Sequence, residues 1–110
     1  MLAYSLAEIF VEKLAALSDR ARTEPRDLYD LWNLLEERDI RPAEYLAEFA
    51  QNLALRERTP HGVTAAIAAK EKRLSTLWTG RLQQQMSDLP PFEGVFRDVM
   101  RVLREADLPE

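Results

Sequence analysis

The sequence of 110 residues contains no cysteine and only one histidine. Without cysteine the chain can form neither a disulfide nor a thiolate metal site, and a reducing cytoplasm is the expected location. A single histidine makes a histidine-based triad or a zinc site unexpected. No stretch approaches the ~20 apolar residues of a membrane span, and no basic region followed by an apolar run marks a signal peptide at the N-terminus.

The chain also lacks an excess of positive charge, since its formal net charge is -4. Attraction of the whole surface to nucleic acid or to an anionic membrane is therefore not expected, although a local basic patch is compatible with this balance. The length predicts a single domain over residues 1–110. No window alternates apolar and polar residues as a strand would, except the stretch MLAY at residues 1–4, which resembles the end of a strand.

Apolar residues instead recur at helical spacing along the whole chain. The first helix is expected to begin after Ser5, because Ser5 and Glu8 have the spacing of a capping box. The breaks TPHG and SDLPP separate later segments. The predicted fold is an all-α antiparallel bundle of about five helices, with a short strand remnant at residues 1–4. The predicted helices are 6–20, 27–38, a third that follows Pro42 and ends near residue 59, 63–86 as one long helix or two in line, and 92–105.

Charged side chains fall on the apolar faces of the first two predicted helices. With about 100° of rotation per residue, Lys13 lies near the middle of the first apolar arc and Arg20 near its edge. Asp27 lies within the apolar arc of the second helix, and Asp30 lies just outside it. A charge on an apolar face is costly unless it reaches water or a charge of opposite sign. The four side chains are therefore expected to converge where the two helices pack.

Two interpretations of these charges stay open from spacing alone. In the structural one, Asp27 is an N-cap and Asp30 a favourable acid in the first turn, which together stabilise the helix by about 1 kcal/mol. Lys13 then forms a structural ion pair. In the functional one, the charges belong to a site that binds an anion. The functional interpretation predicts that the Lys13 ammonium lies within direct or single-water reach of Asp27 or Asp30, at the rim rather than the centre of the core.

The same residues belong to two motifs that resemble the AbiEii nucleotidyltransferase toxins of bacterial abortive-infection systems. The family has a helix with E-x-x-x-E-K-L-x-A-L, followed by a helix with R-D-x-x-D-L. Later segments, LWTGRL and PPFEGVFRDVMRVL, are similar to the helical tail of the family, so the resemblance covers most of the chain. The matching residues are Glu8, Glu12, Lys13, Leu14, Ala16 and Leu17 in the first motif, and Arg26, Asp27, Asp30 and Leu31 in the second.

The resemblance implies an enzyme of two parts. In the family, a mixed sheet with a Gly-Ser turn and paired aspartates holds magnesium and a nucleoside triphosphate, and the helical part follows. By position, Lys13 would contact the triphosphate, Asp27 or Asp30 would complete the polar site, and Arg20 and Arg26 would assist charge neutralisation. Known acceptors of the nucleotide in the family include the acceptor ends of tRNA.

This sequence departs from the family at the metal-binding part. None of its three glycines precedes a serine, and no Asp-x-Asp occurs. The resemblance therefore implies the helical part alone, separated from its catalytic half or having lost it. Such a chain is expected to hold no metal or nucleotide cofactor of its own and to be inactive alone. Its implied partners are a separate catalytic half or an antitoxin, with tRNA by family analogy only.

Two other functions remain open. The chain could be a stand-alone interaction module that dimerises through an exposed apolar surface at its N-terminus, around Leu2 and Tyr4. It could also be a small enzyme that uses Lys13 and the two aspartates alone. Separately, the run KEKR at residues 70–73, together with Arg81, is compatible with a basic stripe near a nucleic acid and equally with a solvated helix face.

Overall fold

The computed structural model describes residues 5–109, which form six α-helices and no strand. The predicted all-α fold is confirmed, whereas the predicted strand remnant at residues 1–4 lies outside the described part. Within residues 5–109 none of the helices has the length and apolar character needed to cross a membrane. The helices are α1 Leu6–Ser18, α2 Pro25–Glu37, α3 Leu46–Leu55, α4 Val63–Ala68, α5 Glu71–Leu82 and α6 Phe92–Glu105, and a short 3₁₀ helix, Pro42–Tyr45, precedes α3.

The first two helices form a hairpin. Ser5 is the N-cap of α1, as predicted, and its hydroxyl accepts a hydrogen bond from the Glu8 amide at 3.2 Å. The connector of residues 19–24 then reverses the chain, so that the middle of α1 faces the first turns of α2. The prediction that Asp27 is an N-cap is wrong. Pro25 has the backbone geometry of a first helical position, so α2 begins there and Glu24 is the cap.

Two later boundaries also differ from the prediction. Helix α3 ends at Leu55, earlier than predicted, because Glu57 adopts a left-handed conformation (φ 58°) and the Arg58 amide bonds back to the Leu53 carbonyl. The segment predicted over residues 63–86, as one long helix or two in line, consists of two helices, α4 and α5, which are separated by a turn at residues 69–70 and end at Leu82. Apolar spacing continues through this turn, which is why the pattern alone could not place it.

Helix α2 lies at the centre of the packing. It contacts α1, α5 and α6, while α1 also contacts α3 and α4. The last helix is strongly amphipathic and buries a regular apolar stripe against its neighbours. One continuous core results, whose fully buried side chains include Phe10, Leu14, Leu28, Leu31, Phe49, Ile67, Leu74, Val95 and Leu103. The charged residues of α1 and α2 lie where this core meets the surface.

Candidate functional site: a charged cluster between the first two helices

Lys13 projects from the middle of α1 toward the first turns of α2. Its Nζ lies 2.8 Å from Oδ2 of Asp30 and 3.8 Å from Oδ1 of Asp27. The Lys13 side chain is 30% exposed, so the ammonium lies at the rim of the core. The predicted contact between Lys13 and the two aspartates is therefore confirmed, and it joins two helices rather than adjacent turns of one.

Two arginines contact the same carboxylates. Arg22 Nε donates to Oδ2 of Asp27 at 2.7 Å, and a terminal nitrogen of Arg22 lies 3.5 Å from Oδ1. Arg26 Nε donates to Oδ1 of Asp30 at 2.9 Å. The hydrogen bond and the charge of Asp27 raise the pKa of Arg22, so that arginine stays protonated. Lys13, Arg22, Arg26, Asp27 and Asp30 are called the Lys13 cluster below.

The Lys13 cluster has more positive than negative charge. Asp27 is almost completely buried, at 3% exposure of its side chain, and Asp30 is 23% exposed. Asp27 lies in the first turn of α2, where the amide dipoles of the helix favour negative charge, and Asp30 lies one turn later. Burial of a carboxylate is tolerated only if it is paired, and here two carboxylates meet three cations. Within these five residues one positive charge is left in excess at a partly exposed rim.

Residues near the end of α5 support the start of α2. Glu24 accepts from the Arg26 amide at 3.2 Å through one carboxylate oxygen and pairs with Arg81 at 3.0 Å through the other. The Arg26 guanidinium in turn donates to the side chain of Gln85 at 2.7 Å. The Arg26 guanidinium thus contacts both Asp30 and Gln85, which limits the orientations that it can adopt.

Through its ammonium, Lys70 contacts the backbone at the end of α1 and in the connector between α1 and α2. Its side chain is buried, and its ammonium donates to the carbonyls of Leu17 at 2.6 Å, Asp19 at 2.5 Å and Arg22. The Leu17 carbonyl belongs to the last turn of α1, which leaves it without a helical partner, and the other two carbonyls belong to the connector. Burial lowers the pKa of Lys70, and the charges of Asp19 and Asp27 act in the opposite direction. Lys70 therefore fixes the backbone from which Arg22 reaches Asp27.

Arg20 is the one predicted site residue that lies away from the cluster. Its side chain is exposed and lines a groove together with residues of α4 and α5. It forms no ion pair with a carboxylate in the part of the chain that the structure describes. Arg26, the other predicted binding residue, lies in the cluster as a partner of Asp30.

The donor atoms of the cluster do not fit magnesium, which the resemblance implies for an intact family member. Magnesium prefers several oxygen ligands. Both oxygens of Asp27 and both of Asp30 already face Lys13 or an arginine, and three cations surround the position that a metal would take. Across residues 5–109 there is also no group of three or more His, Asp or Glu side chains arranged to hold a metal.

Two residues of this arrangement were missed by sequence reasoning. Arg22 lies in a segment, RARTEP, that was interpreted only as a break between helices. Lys70 was interpreted as part of a charged surface run. Neither has a sequence signal, because Arg22 acts from an irregular connector and Lys70 binds backbone carbonyls, which every residue has.

The comparisons with known proteins agree with the two motifs. Residues 1–104 match the family described as Nucleotidyl transferase AbiEii toxin, Type IV TA system. No curated protein and no solved structure matches the chain at a significant level of similarity. The match extends from the first helix almost to the end of α6, so it includes every residue of the Lys13 cluster.

Proposed function

Because this chain belongs to the AbiEii nucleotidyltransferase toxin family, we propose that it works as the helical part of such an enzyme. In this role the Lys13 cluster forms one wall of a nucleotide site. The residues that hold magnesium belong to a catalytic half that these 110 residues do not contain, since they include neither a Gly-Ser turn nor an Asp-x-Asp pair. The isolated chain then transfers no nucleotide.

The observation that supports this proposal is the position of Lys13. Its ammonium lies on an otherwise apolar helix face, is held 2.8 Å from Asp30, and remains partly exposed at the rim. An ion pair needed only for stability gains little from such a position, since exposed pairs contribute about 0–1 kcal/mol. Fixed cations that face one cleft are what stabilises a transferring phosphoryl group.

Each residue of the cluster has a distinct part in this proposal. Lys13 binds the triphosphate, and its ammonium supplies positive charge where negative charge is greatest. Asp30 and Asp27 orient Lys13. Arg22 and Arg26 hold those two carboxylates in place and add positive charge to the rim. Magnesium, when bound by the catalytic half, would neutralise the remaining phosphate charge, and no residue of the cluster serves as its ligand.

The partner and the acceptor of the proposed activity are inferred from the family. Type IV toxin–antitoxin systems pair a toxin with an antitoxin, so an antitoxin is the proposed partner of the assembled enzyme. The acceptor is proposed to be a tRNA, in the cytoplasm, which is the compartment expected for a chain without cysteine.

The proposal is tested by nucleotide transfer in two proteins. The 110-residue chain, incubated with magnesium, total tRNA and each labelled nucleoside triphosphate, is expected to incorporate only background label. In a family member that carries the sheet half, replacement of the lysine equivalent to Lys13 by methionine is expected to abolish transfer. The thermal midpoint of that variant should stay close to that of its parent, because the aspartates keep their arginine partners.

A matched control separates the role of Lys13 from a general loss of positive charge. Arg104 is exposed on α6, outside both the cluster and the groove beside it, and its equivalent replaced by methionine should leave transfer of the intact homologue near the parent level. Robust labelling of RNA by the isolated chain would show that the site is complete here. Undiminished transfer after loss of the Lys13 equivalent would show that the cluster is structural only.

A second candidate function is a dimerisation module. It is favoured by two large apolar side chains that stay exposed, Leu6 at 41% and Leu55 at 87%. Leu55 lines a groove between α1 and α3 with Val11 and Ala7. The N-terminal residues on which the dimer prediction first rested, Leu2 and Tyr4, lie outside the described residues. A second copy of the chain that covers this apolar face is the corresponding proposal.

A further inference from the structure

A groove lined by unpaired cations lies beside the connector between α1 and α2. It has a volume of about 660 Å³, and its wall includes Arg20 from the connector and Lys72 and Arg73 from α5. None of these three forms an ion pair with a carboxylate among residues 5–109, and no acidic side chain belongs to the lining. Such a concentration of cations is unexpected in a chain with net charge -4. Cations without carboxylate partners on one concave surface indicate a polyanionic ligand.

This groove is called the basic groove below. The side chains of its floor limit the kinds of ligand that can bind there. Three small residues, Ala65, Ala66 and Ala69, form much of it, and Leu77 is the one larger apolar side chain. An acidic amphipathic helix needs hydrophobic pockets for several side chains, which this floor does not offer. A sugar–phosphate backbone needs only close approach and cations. The lining also contains no aromatic side chain on which a base could stack.

The basic groove adjoins the Lys13 cluster. Thr23 lines the groove, and its hydroxyl lies 3.4 Å from a terminal nitrogen of Arg73. The preceding residue, Arg22, belongs to the cluster, and Cα atoms of consecutive residues are about 3.8 Å apart. The groove and the cluster are therefore neighbours along the backbone at residues 22–23.

We propose that the basic groove binds the phosphate backbone of a single nucleic-acid strand, independently of base sequence. Arg20, Lys72 and Arg73 contact phosphates, and the Thr23 hydroxyl can donate to one. This inference rests on the proposed function in one respect only, namely that the strand in the groove is the acceptor whose end approaches Lys13. Binding of the strand itself requires neither magnesium nor the catalytic half.

The test is the fluorescence anisotropy of a labelled single-stranded RNA of about 12 nucleotides, within the ~4–16 nucleotides that single-strand sites span. Three phosphate contacts predict that the logarithm of the association constant falls with the logarithm of salt concentration at a slope of about -2. Affinity should then weaken by about 20-fold between about 50 and 200 mM salt. A DNA strand of the same sequence should bind similarly, because the groove contacts phosphates.

Charge-matched variants locate the binding. The triple variant Arg20→Gln, Lys72→Gln, Arg73→Gln should weaken binding by about tenfold or more at low salt and bring the slope toward zero. A control removes three exposed arginines of α6, and it should leave the affinity within about twofold. Its substitutions are Arg97→Gln, Arg101→Gln and Arg104→Gln. All six side chains are exposed, so both variants are expected to keep the fold, which circular dichroism can verify.

The outcomes of these experiments distinguish RNA binding by the basic groove from the proposed role in nucleotide transfer. RNA binding that survives Lys13→Met but not the groove triple supports the groove, whatever the transfer assay shows. Equal losses in the two triple variants would mean diffuse attraction and would overturn the inference, as would a slope near zero for the unaltered chain. If polyglutamate of equal charge displaces RNA as well as unlabelled RNA does, the groove is a site for an acidic protein, and the inference is wrong.

Discussion

At the scale of single residues, the arrangement around Lys13 predicts an unusually mild loss of stability when its charge is removed. In Lys13→Met, Asp30 keeps Arg26 and Asp27 keeps Arg22, so no carboxylate is left unpaired. The methionine side chain also suits the apolar surroundings of α1. The free energy of unfolding should therefore change by less than about 1 kcal/mol, measured by urea denaturation.

The contrasting variant is Arg22→Met. It removes the hydrogen bonds of the buried Asp27 carboxylate and leaves it with Lys13, whose ammonium is 3.8 Å away. The expected loss is about 2 kcal/mol, larger than for Lys13→Met. If the two variants ranked the other way, Lys13 would be the main structural partner of Asp27, and its role in a binding site would lose support.

At the scale of helices and connectors, we expect the substitution of Lys70 to lower stability more than the substitutions of Lys13 and Arg22 do. Its ammonium joins the turn between α4 and α5 to three carbonyls at the end of α1 and in the connector. In Lys70→Met those carbonyls lose a charged donor in a buried position, which should cost about 3 kcal/mol in thermal or urea unfolding.

Lys72→Met provides the matched control for Lys70, two residues along the same charged run. Its side chain is exposed, so the free energy of unfolding should stay within about 0.5 kcal/mol of the unaltered chain. Similar losses in both variants would show that the run acts as one solvated surface, as the sequence pattern suggests, and that Lys70 has no particular role.

Comparison of the helices and connectors with the sequence pattern shows which parts of the fold and of the candidate site could be predicted from the sequence. The apolar periodicity placed α1, α2 and α6 to within two residues at each end, because each has one continuous apolar face. The convergence of Lys13 with Asp27 and Asp30 followed from the same helical geometry. The turn at Lys70 and the contact of Arg22 with Asp27 could not be predicted, because they depend on backbone carbonyls and on the path of a connector. Those features have no periodicity.

At the scale of the whole molecule, the two grooves have opposite character. The basic groove beside the connector contains only cations among its charged residues, whereas the groove between α1 and α3 is lined by Glu8, Glu12 and Glu48 beside the exposed Leu55. The acidic face repels nucleic acid, which favours the basic groove as the place where a strand binds. Self-association through the acidic, apolar face would leave the basic groove open.

The exposed leucine on that face gives the last prediction, which concerns the oligomeric state. Leu55 is 87% exposed beside Ala7 and Val11 of the groove between α1 and α3, and exposed apolar surface is a common element of interfaces between copies of a chain. We expect a concentration-dependent increase in mass by sedimentation up to about 100 µM, a concentration that reveals weak dimers. Leu55→Glu should abolish this increase in mass, since a symmetric contact would bring two such carboxylates together beside Glu48.

The control is Ala54→Glu, which adds the same charge at an exposed neighbouring position outside the groove lining and should disturb the dimer less. A monomeric mass for the unaltered chain at every concentration would remove the dimerisation module from consideration and leave the nucleotidyltransferase role as the surviving proposal.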